Sequence, residues 1–556
     1  GEKEPLKKRL PQDFSRIQKT LLAHHIDYYV ADPSLLAEFR AEHGRLCRGA
    51  DAFRALVLPP MTNLEDTAAE CVAGFIRAGV PVVAVGCLPA ERIGRQDAAS
   101  RLGGLFGADA AQTCRRYMAG QAPSPVAHAG GGVFLPSPDG LPAYLEDLGA
   151  RDFSVKSDGA EAPDILGMHI CRPDGDVWFF ANVSGRAVRS SVTLTVSGRP
   201  TLCRVWPESG KTAPLEARAE DGKRTLEISF APFESAMVRA QAGGPAGSRP
   251  EPTEMPLDEN APWRQDIEGD NVLRLGRWEL TVTAAGGRPL PAYPPVTVIP
   301  EPVINQAEDG GIPLPLKSAG HFGCAKELLF PALQCRYTAR FDVADDLPAG
   351  EMLLAMEPGS IGGQWEIAVN GRPLHPRDFT RRAVWLPDNL AADLAGLVQA
   401  GENVVELTVA TRETYDGLVN PLYICGRFGV FRSGRAGRWR LAPLPPEGRL
   451  EDPAGSGLPF FAGSRLLTGA FTVPEAAGVC LTLPDYRDCD AVTAEVNGAF
   501  VGTCAWGPYR FPVDARLLRP GRNDVRLRVR TTALGLYEGQ HFDTCAHRSV
   551  DLDDGQ

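Results

Sequence analysis

The stretch Trp365-Glu-Ile-Ala-Val-Asn-Gly-Arg-Pro-Leu374 carries the pattern that decides the fold. Its apolar residues recur at every second position up to Val369, which is typical of a strand with one buried face. Asn370-Gly371 follows, and tight hairpin turns prefer this dipeptide. A second strand begins at Gly401-Glu-Asn403 and again has apolar residues at alternate positions. The sequence therefore predicts an antiparallel β-domain around this hairpin.

The same pattern returns near the C-terminus. Alternating apolar residues lead into Asn497-Gly498, and Gly521-Arg-Asn523 begins another alternating strand. Asn370 and Asn497 are 127 positions apart, and Asn403 and Asn523 are 120 positions apart. The second half of the chain is therefore predicted to hold two copies of one β-domain. Because neither copy has a helix signal of comparable strength, both are expected to be β-sandwiches of the jelly-roll type.

Length and charge limit the function classes. At 556 residues the chain is too long for one hydrophobic core, so several domains are expected. No run of about 18 apolar residues is present, so no membrane partner is expected. The net charge of −11 argues against a nucleic-acid partner, which requires a basic surface, and favours a neutral ligand such as a carbohydrate.

The cysteine pattern bears on location and metal binding. The 13 cysteines are scattered and include no Cys-x-x-C pair, so we interpret them as free thiols in a reducing compartment. The first nine residues are not followed by the apolar core of a signal peptide. Both observations favour a cytoplasmic location, and no metal site is predicted among the cysteines.

Residues 1–165 alternate helix and strand signals. A central helix is predicted to begin at the capping box Thr62-Asn-Leu-Glu65 and to end at Gly79. Short apolar strands on either side of an amphipathic helix indicate a parallel sheet. We therefore predict a flavodoxin-like or amidotransferase-like α/β domain. Its strands are predicted at 25–30, 55–59 and 80–85, and its further helices at about 107–119 and 142–148.

The domain boundaries in the rest of the chain are predicted at proline- and glycine-rich segments, because these segments offer few apolar side chains to a hydrophobic core. Residues 166–241 carry short strand signals and are predicted to form a small antiparallel β-sandwich. Residues 242–442 are predicted to form the first jelly roll with a lead-in linker, and residues 443–556 the second. The fold class is thus an N-terminal α/β domain followed by all-β sandwiches.

Four motifs and the two Val-Asn-Gly hairpins occur in an order that suggests a family. The motifs are Ala55-Leu-Val-Leu-Pro-Pro60, Gly79-Val-Pro-Val-Val-Ala-Val-Gly86, Val177-Trp-Phe-Phe-Ala-Asn182 and Trp206-Pro-Glu-Ser-Gly210. This order resembles the C-terminal, non-barrel half of large α-L-rhamnosidase-like glycoside hydrolases, which carry galactose-binding-like jelly-roll modules. In that family a catalytic (β/α)8 barrel lies N-terminal to these parts.

The resemblance implies an accessory, non-catalytic region of a glycoside hydrolase. A barrel needs about 250 residues of strand-helix alternation, and this sequence offers only three or four such units. Glycoside hydrolysis needs two carboxyl groups about 5–10 Å apart, and no such pair can be placed in the sequence. We therefore predict no catalytic residue, a supporting role beside an N-terminal barrel, and carbohydrate binding. A stand-alone carbohydrate-binding protein is the first alternative.

Sugar-binding modules stack aromatic rings on a pyranose and bind its hydroxyls with polar groups, although aromatic residues more often serve packing. Six residues have suitable types and positions. These candidates are Trp506, Tyr509 and Arg510 after the second hairpin, Trp385 in the first copy, and Tyr415 and Tyr537 after the last repeat strand of each copy.

Cys87 offers a second alternative, an amidotransferase-like hydrolase. It ends a predicted strand, which is where such enzymes place a cysteine nucleophile. Leu88-Pro89 do not supply the small residue that a strained nucleophile turn requires, and His128 is not followed by the glutamate of a His-x-Glu motif. A structural thiol is therefore the expected role of Cys87.

The acidic segment 543–554 contains Asp551, Asp553 and Asp554. Carboxylate oxygens are calcium ligands, so a structural calcium ion is the one cofactor that the sequence leaves open. The spacing fits no specific calcium motif, and a solvated tail is the expected state of this segment.

Overall fold

The computed structural model divides the chain into two compact units, Gly1–Pro250 and Glu251–Gln556, and each is described by itself. None of the helices in the described ranges has the length and hydropathy of a membrane span. The structure describes residues 4–93, 99–121, 131–198, 200–207, 210–220, 222–241, 253–258, 261–284, 293–312, 314, 333–434, 438–450, 452–483, 490–543 and 548–552.

The first unit begins with an α/β portion. Its parallel sheet is formed by Leu56–Leu58, Val82–Val85 and Val133–Leu135. The four residues of the central strand are all buried, which is typical of a parallel strand covered on both faces. The α-helices of this portion are Glu4–Ala23, Asp66–Arg77, Ala99–Phe106, Ala110–Met118 and Leu141–Asp147, with 3₁₀ turns at Pro33–Glu38 and Pro138–Gly140.

Two local predictions for this portion are wrong. Residues 26–32 form no strand. The predicted capping box is also absent: Asn63–Glu65 is a short strand paired in parallel with Glu91–Ile93, so the helix begins at Asp66. Backbone pairing in the sheet therefore prevails over the local capping signal. A parallel sheet of three described strands with a separate parallel pair does not identify a flavodoxin-like or amidotransferase-like fold, and that finer assignment stays a prediction.

The first unit also contains an antiparallel β-sandwich, and it begins before residue 166, at Phe153. Its interior is apolar and includes the fully buried Trp178 and Phe180. A small three-stranded sheet, Arg40–Glu42, Arg45–Arg48 and Asp51–Phe53, lies outside the sandwich. The first sandwich sheet has the order Ala160–Glu161, Phe153–Ser157, Val188–Thr195, Lys223–Phe230, Arg218–Glu220, and the second has Ile165–Ile170, Val177–Asn182, Ser235–Gln241, Thr201–Trp206, Lys211–Pro214.

The second unit holds two β-domains, each with its own apolar core. In the first, the main sheet has the path Val296–Val298, Trp278–Ala284, Leu333–Val343, Gly401–Thr411, Gln364–Val369, Arg372–Leu374, with Gly429–Arg432 and Trp439–Ala442 beside it. The facing sheet has the order Asn271–Leu275, Leu422–Gly426, Met352–Met356, Asn389–Asp393, Thr380–Arg382.

The second β-domain is built alike. Its six-stranded sheet has the order Glu447–Gly448, Trp263–Glu268, Ser464–Val473, Gly521–Arg530, Ala491–Val496, Ala499–Cys504, and its three-stranded sheet Thr253–Pro256, Val479–Leu483, Tyr509–Val513. The remaining elements of this unit are the helices Val303–Asp309 and Leu534–Glu538, the 3₁₀ turns Pro376–Asp378 and Ala515–Leu517, and the strand pairs Ile361–Gly362 with Gly417–Leu418 and Gln540–Asp543 with Arg548–Asp551.

The lead-in residues do not all belong to the first copy, as the predicted boundary 242–442 places them. Strands Thr253–Pro256 and Trp263–Glu268 pair with strands of the second copy. Strands Asn271–Leu275 and Trp278–Ala284 pair with strands of the first. The chain therefore starts the second β-domain, builds the first, and returns to complete the second.

Asn370-Gly371 forms the predicted hairpin turn, with φ of 51° and 74°. The left-handed conformation of both residues matches a type I′ turn. The Asn370 side chain also hydrogen-bonds two residues of the neighbouring strand, Gly401–Thr411. Its amide Nδ2 donates to Asn403 Oδ1 at 2.8 Å, and its Oδ1 accepts the Val404 N–H at 2.9 Å. Asn403 is fully buried, and its amide also bonds both the N–H and the carbonyl of Gln399.

The second copy repeats this network. Asn497 Nδ2 donates to Asn523 Oδ1 at 2.8 Å, and Asn497 Oδ1 accepts the Asp524 N–H at 3.1 Å. The buried Asn523 bonds the N–H and the carbonyl of Arg519. Each asparagine thus satisfies backbone groups that the turn leaves unpaired. The repeated Asn-Gly and Gly-x-Asn motifs therefore form one structural device, built twice.

Candidate functional site: an aromatic and carboxylate cluster

Glu357 stands at the end of the buried strand Met352–Met356, where the chain turns. The indole Nε1–H of Trp385 donates to Glu357 Oε1 at 3.4 Å. Both side chains are half-buried. A carboxylate and a tryptophan ring therefore lie together at an edge of the first β-domain.

Tyr537 joins this pair from the short helix Leu534–Glu538, which follows the last repeat strand of the second copy. Its phenol lies close enough to Glu357 and Trp385 for both side chains to influence the pKa of Tyr537. The side chain of Tyr537 keeps 37% of its surface exposed. Two of the six predicted carbohydrate-binding residues thus lie beside a third residue, Glu357, which was not among the predicted candidates.

The cluster is held by neighbouring groups. Asn389 accepts the backbone N–H groups of Trp385 and Leu386 at 3.1 and 2.8 Å, which fixes the loop that carries the indole. Tyr423 packs edge-on against Trp385, with ring centroids 4.5 Å apart. The Tyr423 hydroxyl donates to the carbonyl of Leu536 at 3.1 Å, next to Tyr537. The two rings are therefore positioned before any ligand binds.

The electrostatics of the cluster are those of a hydrogen-bonding site. Burial is the largest cause that raises the pKa of Tyr537, and the charge of Glu357 raises it further. Burial also raises the pKa of Tyr423. Both phenols therefore stay protonated at neutral pH and remain hydrogen-bond donors. The remaining lone pairs of the Glu357 carboxylate can accept hydroxyl groups of a ligand.

Tyr415 is 67% exposed and lies on a loop near the turn that carries Glu357. The Asp416 carboxylate accepts two backbone N–H groups of this loop at 2.8 and 3.1 Å, which fixes its path. The next residues, Gly417–Leu418, pair with Ile361–Gly362, just after the Glu357 turn. This pairing places a third candidate aromatic residue on an adjoining loop.

The three candidates after the second hairpin do not form one site. Trp506 is 54% exposed, so its ring is accessible for stacking on a sugar. Tyr509 is only 2% exposed, belongs to the core of the second β-domain, and donates its hydroxyl to the carbonyl of Asp490 at 2.6 Å. The prediction for Tyr509 is therefore wrong, because a buried ring cannot stack on a sugar. The guanidinium of Arg510 is paired with Glu254.

Cys87 has the surroundings of a structural thiol. It is fully buried, and its Sγ lies 3.4 Å from the carbonyl oxygens of Met61 and Leu88, either of which can accept the one thiol proton. Burial and the neighbouring Cys114 raise its pKa, so the thiolate required for nucleophilic attack is scarce at neutral pH. His128 lies outside the described residues. The geometry thus argues against a nucleophilic role for Cys87.

The acidic segment does not bring its described carboxylates together. Asp543 pairs with Arg548 and Asp551 pairs with Gln540, so the two acids lie at opposite ends of one hairpin. Asp551 also lies 3.8 Å from the guanidinium of Arg277. Asp553 and Asp554 are outside the described residues. Asp543 and Asp551 therefore do not share a calcium site.

Comparisons with solved structures return glycoside hydrolases, the class that the sequence resembles. A rhamnosidase from Novosphingobium sp. PP1Y is 18% identical over 71% of this chain and 36% of that chain, with a TM-score of 0.30. An exo-carrageenase GH42 from Bacteroides ovatus is 10% identical over 42% of this chain and 27% of that chain, with a TM-score of 0.27. A beta-D-mannosidase from Dictyoglomus thermophilum is 12% identical over 47% of this chain and 31% of that chain, with a TM-score of 0.21.

This chain covers about a third of the length of these structures. At TM-scores of 0.30 and below, the similarities do not transfer an activity or a domain assignment to it. No protein-family model matches the sequence, and no curated protein matches it.

Proposed function

We propose that this chain is a non-catalytic region of a carbohydrate-active enzyme and that it binds a neutral carbohydrate at the cluster of Trp385, Glu357 and Tyr537. The observation that carries the proposal is the convergence of two aromatic side chains on one carboxylate. Aromatic rings offer apolar surface to a pyranose, and the carboxylate offers acceptors for its hydroxyls. A net charge of −11 favours an uncharged ligand over an acidic one.

The arrangement has the features of a preformed ligand site. The loop of Trp385 is fixed by Asn389, so little side-chain entropy is lost on binding. Tyr415 stands on an adjoining loop and could extend the contact with a longer saccharide. The accessory role itself rests on the resemblance to the non-barrel half of rhamnosidase-like glycoside hydrolases, and a catalytic barrel is the proposed partner.

Calorimetric titration of the full chain with monosaccharides and with plant and microbial polysaccharides tests the binding site. We expect saturable binding that is lost in Trp385→Ala and retained in Trp506→Ala. Trp506 is the matched control because it is an exposed tryptophan of the other β-domain. Loss in Trp506→Ala alone would move the site to the second β-domain, and binding that survives both changes would refute both locations.

The non-catalytic role has a separate test. Incubation of the purified chain with a chromogenic aryl α-L-rhamnopyranoside should release no phenol above the rate without protein. Release that scales with the amount of chain would show that the region is itself an enzyme. A stand-alone carbohydrate-binding protein predicts the same absence of hydrolysis, and it is distinguished by failure of the chain to bind a separately produced barrel.

A further inference from the structure

A second cluster of functional groups lies in the first unit, at the turn between the sandwich strands Ile165–Ile170 and Val177–Asn182. His169, Cys171 and Asp176 each direct one potential metal ligand to the same point, and these atoms lie within 4.8 Å of one another. His169 is the penultimate residue of the first strand, and Cys171 and Asp176 flank the connecting turn. None of these groups takes part in the proposed carbohydrate site.

The two distances from the histidine nitrogen to the other donor atoms match a small tetrahedral ion. His169 Nε2 lies 3.7 Å from Cys171 Sγ and 3.7 Å from Asp176 Oδ1. Ligands bound to zinc at about 2.0–2.3 Å with tetrahedral angles are about 3.4–3.6 Å apart. The two distances from His169 Nε2 are therefore within a few tenths of an ångström of those between ligands of one zinc ion, and the Cys171 and Asp176 donors lie within 4.8 Å of each other.

The histidine is oriented as metal-binding histidines usually are. Its other ring nitrogen, Nδ1, lies 3.4 Å from Asp152 Oδ2. A proton on Nδ1 is stabilised by this carboxylate, which leaves the Nε2 lone pair directed at Cys171 and Asp176. The indole of Trp178 stacks on the imidazole, with centroids 4.6 Å apart and planes 7° from parallel, and so fixes the ring.

The turn that connects the ligands is also fixed. Asp174 bonds Arg239 at 2.7 Å, and the carbonyl of Asp176 accepts the Ala240 N–H at 2.8 Å. Gly175 has φ of 127°, and a Cβ there would lie 2.0 Å from the carbonyl oxygen of Ala240. Only glycine allows this close approach. The backbone therefore holds the three ligands in place without a metal.

We propose that His169, Cys171 and Asp176 bind one divalent transition-metal ion of the zinc class, with a fourth position open to solvent. Imidazole and thiolate ligands favour zinc over calcium or magnesium, which take oxygen ligands. Cys171 is exposed, so an incoming ion and a fourth ligand can reach the site from solvent. On binding, the cysteine S–H loses its proton to water and a metal–sulfur bond forms.

The test uses the reduced, chelator-treated full chain and titration with Co²⁺, which gives a thiolate-to-metal charge-transfer absorption when a cysteine is bound. We expect one equivalent of Co²⁺, displaced by Zn²⁺. The absorption should be lost in Cys171→Ser, and the affinity for Co²⁺ should fall at least tenfold in His169→Gln. Cys47→Ser is the control, because Cys47 lies in the separate small sheet, and it should behave as the wild type. No absorption in the wild type, or its persistence in Cys171→Ser, would overturn the proposal.

Two further measurements keep the test independent of folding defects. Zn²⁺ should slow alkylation of Cys171 in the unmodified chain at least tenfold and leave Cys47 unaffected, as read by peptide mass spectrometry. Asp152→Asn removes no ligand but should weaken Zn²⁺ binding about 10- to 100-fold, because the carboxylate positions His169. Equal alkylation with and without Zn²⁺ would contradict the site.

Discussion

The paired asparagines of each β-domain allow a quantitative prediction. Asn403 makes four hydrogen bonds: its Oδ1 accepts from Asn370 Nδ2 and from the Gln399 N–H, and its Nδ2 donates to the carbonyls of Gln399 and Gly401. Asn403→Ala removes all four. A typical buried hydrogen bond contributes about 0.5–1.5 kcal/mol to stability. Gln399 and Gly401 are exposed and can bind water instead, so we expect a loss of about 2–3 kcal/mol.

Amide hydrogen exchange followed by mass spectrometry measures this loss locally. A loss of 2–3 kcal/mol corresponds to about 30- to 150-fold faster exchange of amides that open with the affected strands. We expect the effect in Gly401–Thr411 and Gln364–Val369 of Asn403→Ala, and in Gly521–Arg530 of Asn523→Ala. Gln399→Ala is the control, because only the backbone of Gln399 takes part in the network.

Exchange in Asn403→Ala that changes less than threefold would refute the assignment of a stabilising role to this network. Acceleration of the same size in Gln399→Ala would do so as well, because it would show that any change in this loop opens the strands.

Three other predictions concern single groups. Tyr509→Phe should lower thermal stability by about 1 kcal/mol, because the hydrogen bond to the Asp490 carbonyl is lost, while carbohydrate affinity stays unchanged; altered affinity would contradict its core role. Burial lowers the pKa of His25 below 6.5, so the unfolded chain takes up the proton first. Thermal unfolding should therefore show stability falling as pH drops below about 6.5, less steeply in His25→Asn, and equal slopes would contradict this. Iodoacetamide should modify Cys87 at least tenfold more slowly than Cys171 in the folded chain, as measured by peptide mass spectrometry, because burial keeps the Cys87 thiol protonated; equal rates would refute this.

The hairpins could be predicted from sequence because their signals are local. Asn370-Gly371 and Asn497-Gly498 adopt the expected turn, and the alternating apolar residues before each turn form the strands Gln364–Val369 and Ala491–Val496. The strand expected at 25–30 is absent, although its residues have high strand propensity. Strand formation depends on partners that local sequence does not reveal.

The candidate site depended on contacts that no local pattern encodes. Trp385 and Tyr537 were selected separately, and their convergence arises because a helix after the last strand of the second copy reaches the first. Glu357 was missed because one glutamate in a Glu-Pro-Gly turn carries no distinctive signal. Tyr509 was selected wrongly because the alternation that buries it also fits a ligand-facing position.

The most direct test of the central claim is a double-mutant cycle on carbohydrate affinity with Trp385→Ala and Tyr537→Ala. Because Trp385 bonds Glu357 and Tyr537 lies beside both, removal of either ring should disrupt one shared site. We expect each single variant to bind carbohydrate at least tenfold more weakly than the wild type, a loss of about 1.4 kcal/mol of binding free energy. The double variant should bind no more than about twofold more weakly than the weaker of the two single variants. Losses that multiply in the double variant, or affinities equal to the wild type, would contradict a single site formed by these residues.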